Sequence, residues 1–193
     1  MTDHDDTVPT HDPRADALLA IRCQLGERAA FAELVDRWHE PLWRYVRRLT
    51  GGDDVAADTV QDVWLRVLRG MPRLRDPARL RAWLFGVARR AVLDRVRLRY
   101  AAPDAAPVDD VEALRVGAAE TDEDLAEALA LMHDELARLP FAEREVLALF
   151  YLHELTLAQL ADVLGVPVGT VKSRLFRARH LLRRHLLERG IER

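Results

Sequence analysis

The stretch Lys172-Ser173-Arg174-Leu175-Phe176-Arg177-Ala178-Arg179 places cations, a hydroxyl and an aromatic ring within two turns of a helix. At 3.6 residues per turn, Val171, Leu175, Ala178 and Leu182 share one face. Gly169, Ser173, Phe176, Arg177 and His180 then lie opposite. A guanidinium can donate two hydrogen bonds to a guanine edge, and a ring can pack on thymine methyls, so this outward face suits reading bases in a groove. Lys172, Arg174 and Arg179 flank it, where they can neutralise phosphates, and Thr170 opens the same surface.

Two further constellations lie upstream. Asp58, Gln61, Asp62 and Leu65 follow one another at i, i+3, i+4 and i+7, giving a helix face of mixed acidic, amide and apolar character. Such a stripe suits docking on a basic partner helix, the lesser alternative being an ordinary solvated face. Trp83 and Phe85 stand among arginines, and rings beside guanidinium groups can stack unpaired bases while holding their phosphates. Trp83 also fits the apolar stripe of its helix and reads first as core. Arg89, Arg90, Arg95 and Arg97 are the stronger nucleic-acid candidates.

The elements that must position these groups are all helical. Thr156 and Gln159 have the spacing of a capping box. Leu157, Leu160, Ala161 and Leu164 form one face of a helix over 157–164, Gly165 supplies a turn, and a second helix spans 168–188. Two short helices around a tight turn make a helix-turn-helix, whose second helix enters the major groove. Upstream, apolar spacings of three and four predict a helix from Phe31 to Leu49 that stops at Gly51-Gly52. Further helices are expected over 54–68 and from the Asp76-Pro77 cap to about Tyr100, then over 123–138 and 142–153. No segment sustains a period of two. The expected fold is all-α: two small helical domains, a bundle over 25–99 and a helix-turn-helix domain over 125–188. A flexible acidic linker over 100–124 joins them, with a disordered acidic tail over 1–24 and a short tail over 189–193.

Charge follows the same division. The 193 residues have a formal net charge of only −3. Yet Arg73 to Arg99 carries nine arginines against Asp76 and Asp94, and Lys172 to Arg193 carries eight basic residues against Glu188 and Glu192. Asp104 to Asp124 between them holds eight acids and only Arg115. Two basic blocks around an acidic spacer suit a polyanion held at two places.

Other function classes lack their signatures. The seven histidines are scattered, His180 and His185 miss the spacing that pairs metal ligands on a helix, and neither a P-loop nor a dinucleotide fingerprint occurs. Cys23 is the only cysteine, so no intrachain disulfide or cysteine zinc cluster can form. No run reaches the ~18 apolar residues of a membrane span, and the acidic N-terminus is not a secretory signal. The expectation is a cytoplasmic protein, nucleoid-associated when at work. No enzymatic activity, cofactor, small-molecule substrate or membrane insertion is expected.

These motifs resemble one family. Leu139-Pro140 leading into Glu143-Arg144-Glu145-Val146-Leu147, with the helix-turn-helix after it, resembles region 4 of sigma-70 factors. Asp58 to Leu65 is similar to the core-polymerase-binding motif of region 2, and Arg81 to Arg95 to the segment that opens and reads the −10 element. Without room for the extra domains of housekeeping members, the chain resembles the extracytoplasmic-function (group 4) kind. The resemblance implies an alternative sigma factor. Asp58, Gln61, Asp62 and Leu65 would meet core RNA polymerase (β′ and β subunits). Trp83, Arg89, Arg90, Arg95 and Arg97 would take the −10 element, and the Thr170–Arg179 surface the −35 element. It also implies an anti-sigma factor clamping both domains and a linker threading the polymerase channel. Many members carry Asn where Arg90 stands, which leaves the captured −10 base open. The rival readings are a conventional helix-turn-helix regulator acting without polymerase, and a polymerase-binding interaction module. The Asp58–Leu65 face and the aromatic–arginine helix speak against the first, and the basic recognition face against the second.

Overall fold

Asp12 starts the described chain by accepting a hydrogen bond from the backbone N–H of Arg14, with Pro13 in the first helical turn. The computed structural model describes residues 12–50, 52–100 and 135–189. Helix α1 (Pro13–Gln24) buries Leu19 and Ala20, and its Asp16 is buried beside Arg37 at 3.3 Å. Gln24 Nε2 donates to the carbonyls of Met71 and Leu74, at 3.1 and 2.7 Å. The expected disordered tail is therefore corrected from Pro13 onward. Two apolar residues and one amide are enough to anchor a single capped helix, a signal too sparse to show as periodicity.

Helix α2 (Arg28–Thr50) buries Leu34, Trp38, Leu42, Tyr45, Val46 and Leu49, the expected spacing of three and four. Helix α3 (Asp53–Gly70) packs Ala56, Val60, Val63 and Val67 inward. Asp76 caps a one-turn 3₁₀ helix at Pro77–Arg79, which runs straight into α4 (Leu80–Tyr100). Gly70 lies under Trp83: a Cβ there would meet Trp83 Cζ2 at 2.9 Å. Each fully buried leucine of this bundle stabilises it by roughly 1.5–3 kcal/mol.

In the second domain, α5 (Phe141–Leu147) leads into a π-helical turn at Ala148–Leu152, closed by the His153 N–H to the Ala148 carbonyl at 3.1 Å. The helix expected over 142–153 thus runs on through Leu152, but its hydrogen bonding changes from α to π at Ala148. One residue is accommodated as a bulge, which swings His153 and Leu155 inward. Helix α6 (Leu157–Leu164) has the full capping box, Gly165 takes the left-handed conformation at φ 67°, and α7 (Val168–Glu188) follows. Arg189, expected in the C-terminal tail, pairs with buried Glu135 at 2.7 Å and belongs to the domain. The expected acidic linker, most of the helix over 123–138, and residues 190–193 lie outside the described residues. No strand occurs among the described residues, and no helix of the described chain is long and apolar enough to cross a membrane.

The two helical domains are in contact. Helix α6 packs on α4, and the rings of Tyr45 and Phe85 from the first domain enclose His153 from the second.

Candidate polymerase and nucleic-acid interfaces

Asp58, Gln61 and Leu65 are exposed on one side of α3, and Asp62 is half-buried beside them. Leu65 is 46% exposed and Leu68, one turn on, 54%. The apolar positions of α3 that make the core leave this side free, so the structure brings the four expected residues together. The carboxylates are already engaged: Asp58 with Arg95 at 2.7 Å, and Asp62 with Arg66 at 2.8 Å. Arg66 also reaches Asp94 at 2.7 Å. The face is a lattice of neutralised acids around exposed leucines, suited to a partner that offers both cations and apolar surface.

Helix α4 divides the five expected −10 residues. Trp83, Arg90 and Arg97 recur every seven residues and so share a face. Trp83 and Arg90 line an open cleft of about 410 Å³ with Leu74, Arg75, Asp76 and Arg79. Arg90 is exposed, and Arg97 reaches Asp94 at 3.9 Å. Arg89 and Arg95 leave this face. Arg95 turns to Asp58 of α3, and Arg89 turns to the second domain, 3.0 Å from Glu145 Oε1. The five expected residues therefore do not share one face, because residues 89 and 95 fall on different sides of a 3.6-residue turn from 83, 90 and 97. Phe85 is fully buried against Trp38, Tyr45 and His153, so stacking a base is not its role in this arrangement. Sequence reasoning missed Arg75 and Arg79. Their position beside the Asp76 cap, at the mouth of α4, was the available signal.

The helix-turn-helix is built as its spacing predicts. Thr156 Oγ1 accepts from the Gln159 N–H, and Gln159 Oε1 accepts from the Thr156 N–H. Val171, Leu175 and Ala178 are buried, and Leu182 is half-buried. That stripe rolls Lys172, Ser173, Phe176, Arg177 and Arg179 to the outside, with Phe176 75% exposed. An apolar ring so exposed costs solvation unless something covers it. Ser173 Oγ is bonded to the Thr170 carbonyl. Arg179 lies 6.0 Å from the centre of the Tyr151 ring, and Arg177 meets buried Glu143 at 3.3 Å. Thr170 is half-buried in the first turn. Arg174 is half-buried too, and its charge bears on Glu145, so it is less free to hold a phosphate than Lys172.

Burial at the domain contact shifts three groups. The Glu145 carboxyl is pushed up by burial, against the pull of Arg89, Tyr45 and Arg174. Tyr45 is held well above its usual range by burial and by the Glu145 charge. His153 is lowered to about 3, first by burial and then by Arg48, Arg81 and Arg44. No group of three His, Cys, Asp or Glu able to hold a metal occurs among the described residues.

Comparison with known proteins agrees with this layout. Sigma-70 region 2 matches residues 34–101, and Sigma-70, region 4 matches residues 129–182. The ECF RNA polymerase sigma factor SigM of Mycobacterium tuberculosis is 36% identical over 173 residues, covering 90% of this chain and 85% of that one. SigL of the same species is 37% identical, covering 87% and 95%, and SigW of Bacillus subtilis is 30% identical, covering 83% and 91%. Among solved structures, CnrH in complex with the cytosolic domain of CnrY is 28% identical with a TM-score of 0.66, covering 89% of this chain and 97% of CnrH. The sigma factor RpoE of Bartonella quintana, solved with the anti-sigma factor NepR, shares the fold at 24% identity and a TM-score of 0.68, covering 84% and 98%. With both regions matched in order and relatives at 30% identity or more spanning most of its length, the chain belongs to the sigma-70 family as an extracytoplasmic-function RNA polymerase sigma factor.

Proposed function

We propose that this sigma factor divides its work among three faces. A sigma factor is a transcription initiation factor, not an enzyme: it binds core RNA polymerase and directs it to promoter DNA. The α3 face of Asp58, Gln61, Asp62 and Leu65 docks on the polymerase. The α4 face of Trp83, Arg90 and Arg97, with Arg75 and Arg79 at its mouth, takes the opened −10 strand. Lys172, Ser173, Phe176, Arg177 and Arg179 of α7 read and hold the −35 element, with Thr170 at the entry of the helix. The observation that supports this division most is the solvent-exposed Phe176 among basic residues on the second helix of a fully capped helix-turn-helix. Its site of action is the cytoplasm, at the nucleoid.

Regulation by an anti-sigma factor is part of the same reading. CnrH, the 28% identical relative, was solved holding the cytosolic domain of CnrY, and a partner domain would likewise clamp both regions here.

Charge reversal tests the polymerase face. Asp58→Arg with Asp62→Arg places two cations among Arg66 and Arg95. It should weaken holoenzyme assembly at least about hundredfold, as expected when like charges replace a complementary patch. Circular dichroism should show unchanged helical content, and native gel shift with core polymerase reads the assembly. Unimpaired assembly would remove α3 as the docking face.

A further inference from the structure

Helix α1 lies ahead of residues 34–101, which Sigma-70 region 2 matches, and its C-terminal end touches the −10 cleft. One wall of that cleft is α4, through Trp83 and Arg90. The other is the connection between α3 and α4, through Leu74, Arg75, Asp76 and Arg79. Helical hydrogen bonds hold the α4 wall. The loop wall is two single 3₁₀ turns, Met71–Arg73 and Pro77–Arg79, joined by extended backbone at Leu74 and Asp76. Gln24 of α1 ties this loop down: its Nε2 donates to the Met71 carbonyl at 3.1 Å and to the Leu74 carbonyl at 2.7 Å. A carbonyl so engaged fixes the plane of its peptide, and the peptide after Leu74 leads directly into Arg75, which is exposed. The other end of the tied segment follows Gly70, which lies under the Trp83 ring. Helix α1 is itself pinned to α2, by Asp16–Arg37 at 3.3 Å and Arg22–Glu33 at 2.8 Å, and it packs on both 3₁₀ turns.

We propose that α1 is the brace of the −10 cleft and that Gln24 is a positioning residue for base selection. Its amide sets the loop wall against the α4 wall, and with it the direction from which Arg75 and Asp76 meet a strand. Gln24 touches no nucleic acid in this reading and acts through the two carbonyls. An amide suits the task because its NH₂ has two protons to give and two carbonyls converge on it. A carboxylate of the same shape would offer acceptors to acceptors, and a thioether of similar length would fill the space and donate nothing. Either leaves the loop free to take other arrangements. The wall that recognises a base is then present for only a fraction of the time, and apparent affinity for the preferred base falls by that fraction. Contacts to phosphates position a strand without reading it, so the signature is lost preference at nearly unchanged total binding.

The proposal rests on the −10 role of the cleft, so the experiment reads the cleft and the brace separately. Holoenzyme assembled from each variant and core polymerase is presented with fork-junction DNA whose single-stranded −10 segment is randomised. Sequencing the bound fraction gives the base preference at each position, and the amount retained gives total binding. Gln24→Met should lower the preference at the positions read by the cleft about tenfold, as expected for two lost neutral hydrogen bonds. Gln24→Glu should lower it further, and Gln24→Lys, whose ammonium can donate to both carbonyls, should restore it. Holoenzyme assembly by native gel shift and helical content by circular dichroism should match the parent. Gln24 is half-buried, so Gln24→Ala lets water reach both carbonyls. It should also lose preference, and it keeps the test decisive should Gln24→Glu fold poorly. Unchanged preference in Gln24→Met and Gln24→Ala would overturn the brace. So would an equal loss of preference, total binding and assembly, which would make Gln24 an anchor of the fold alone. Trp83→Ala and Arg90→Ala test the underlying reading. If they flatten the preference while the Gln24 variants do not, the −10 role stands and the brace falls. If they too leave it unchanged, the −10 role of the cleft fails, and the brace with it.

Discussion

Helices α4 and α7 each carry six of the 29 basic residues of the chain, yet the charge is disposed differently on each. On α4, Arg81, Arg89 and Arg95 are bonded to groups from other elements: the His153 carbonyl, Glu145 and Asp58. Arg79, just before it, holds Asp76 and Asp162. On α7, Lys172 makes no ion pair among the described residues, and Arg179 meets only the Tyr151 ring at distance. The difference follows from neighbours. Helix α4 is central, packed by α2, α3 and α6, whereas the outer side of α7 faces solvent. A run of arginines is therefore not a measure of available charge. What counts is how many carboxylates the packing brings within reach.

The sharpest way to break this comparison is at Arg177, a cation on the α7 reading face that pairs with a carboxylate, Glu143. A good side chain–base contact contributes roughly 1–3 kcal/mol of discrimination. Arg177→Ala should lose about one to two decades of holoenzyme affinity and relax preference at one or two −35 positions, measured on a −35 mutant library. Equal weakening of every variant would show that Arg177 serves to hold Glu143 and not to read bases.

Acidification sharpens the comparison from the α4 side. His153 is enclosed by Tyr45 and Phe85, with Arg44 and Arg48 of α2 and Arg81 of α4 around it, and its Nε2 is buried with no hydrogen-bond partner among the described residues. With the two domains in contact, the closed state, it is lowered to about 3, whereas with the domains apart, the open state, an exposed histidine titrates near ~6.5. Above about pH 6.5 the ring is neutral in both states and closure is at full strength. Below it the open state binds a proton that the closed state refuses, so closure is lost by about tenfold per pH unit until the closed-state value is reached. Glu145, pushed up by burial, acts in the opposite direction. The His153→Phe variant therefore isolates the histidine. Between pH 7.5 and 5.5 the open fraction of the parent should rise about tenfold relative to that of the variant, read by energy transfer between dyes on Asp54→Cys of α3 and Arg183→Cys of α7 in a Cys23→Ser background. Parallel profiles would remove His153 from the linkage.

The smallest effect concerns salt. Each phosphate contact contributes about 0.9 to the slope of log affinity against log salt. Lys172→Ala or Arg179→Ala should lower the slope of duplex binding by about that amount, across all promoters alike. Arg95→Ala, whose charge is already taken by Asp58, should lower it by clearly less. Equal slopes for the three variants would mean that the pairing seen on α4 does not survive binding.

Local chemistry made much of this molecule legible in advance. The capping box at Thr156 and Gln159, the left-handed Gly165 and the Val171–Leu175–Ala178 stripe depend on residues a few positions apart, so their spacing carries the signal. The same holds for the exposed α3 stripe and for Phe176. Helix α1 was missed because two anchoring residues do not make a period. The π turn at Ala148–Leu152 was missed because His153, which closes it, finds its ring partners in the other domain.

Which arginines of α4 are free was not a local question. Asp58 and Arg95 are 37 positions apart, Arg89 and Glu145 are 56, Arg79 and Asp162 are 83, and Tyr45 and Glu145 are 100. Helix type, caps and outward faces are set by interactions within a turn or two, which residue order alone determines. The pairing of charges across the domain contact depends on which surfaces meet. Burial then decides the rest: Glu145 and His153 are ordinary residues in the chain, and become a clasp and a proton-refusing ring only because packing removes their water.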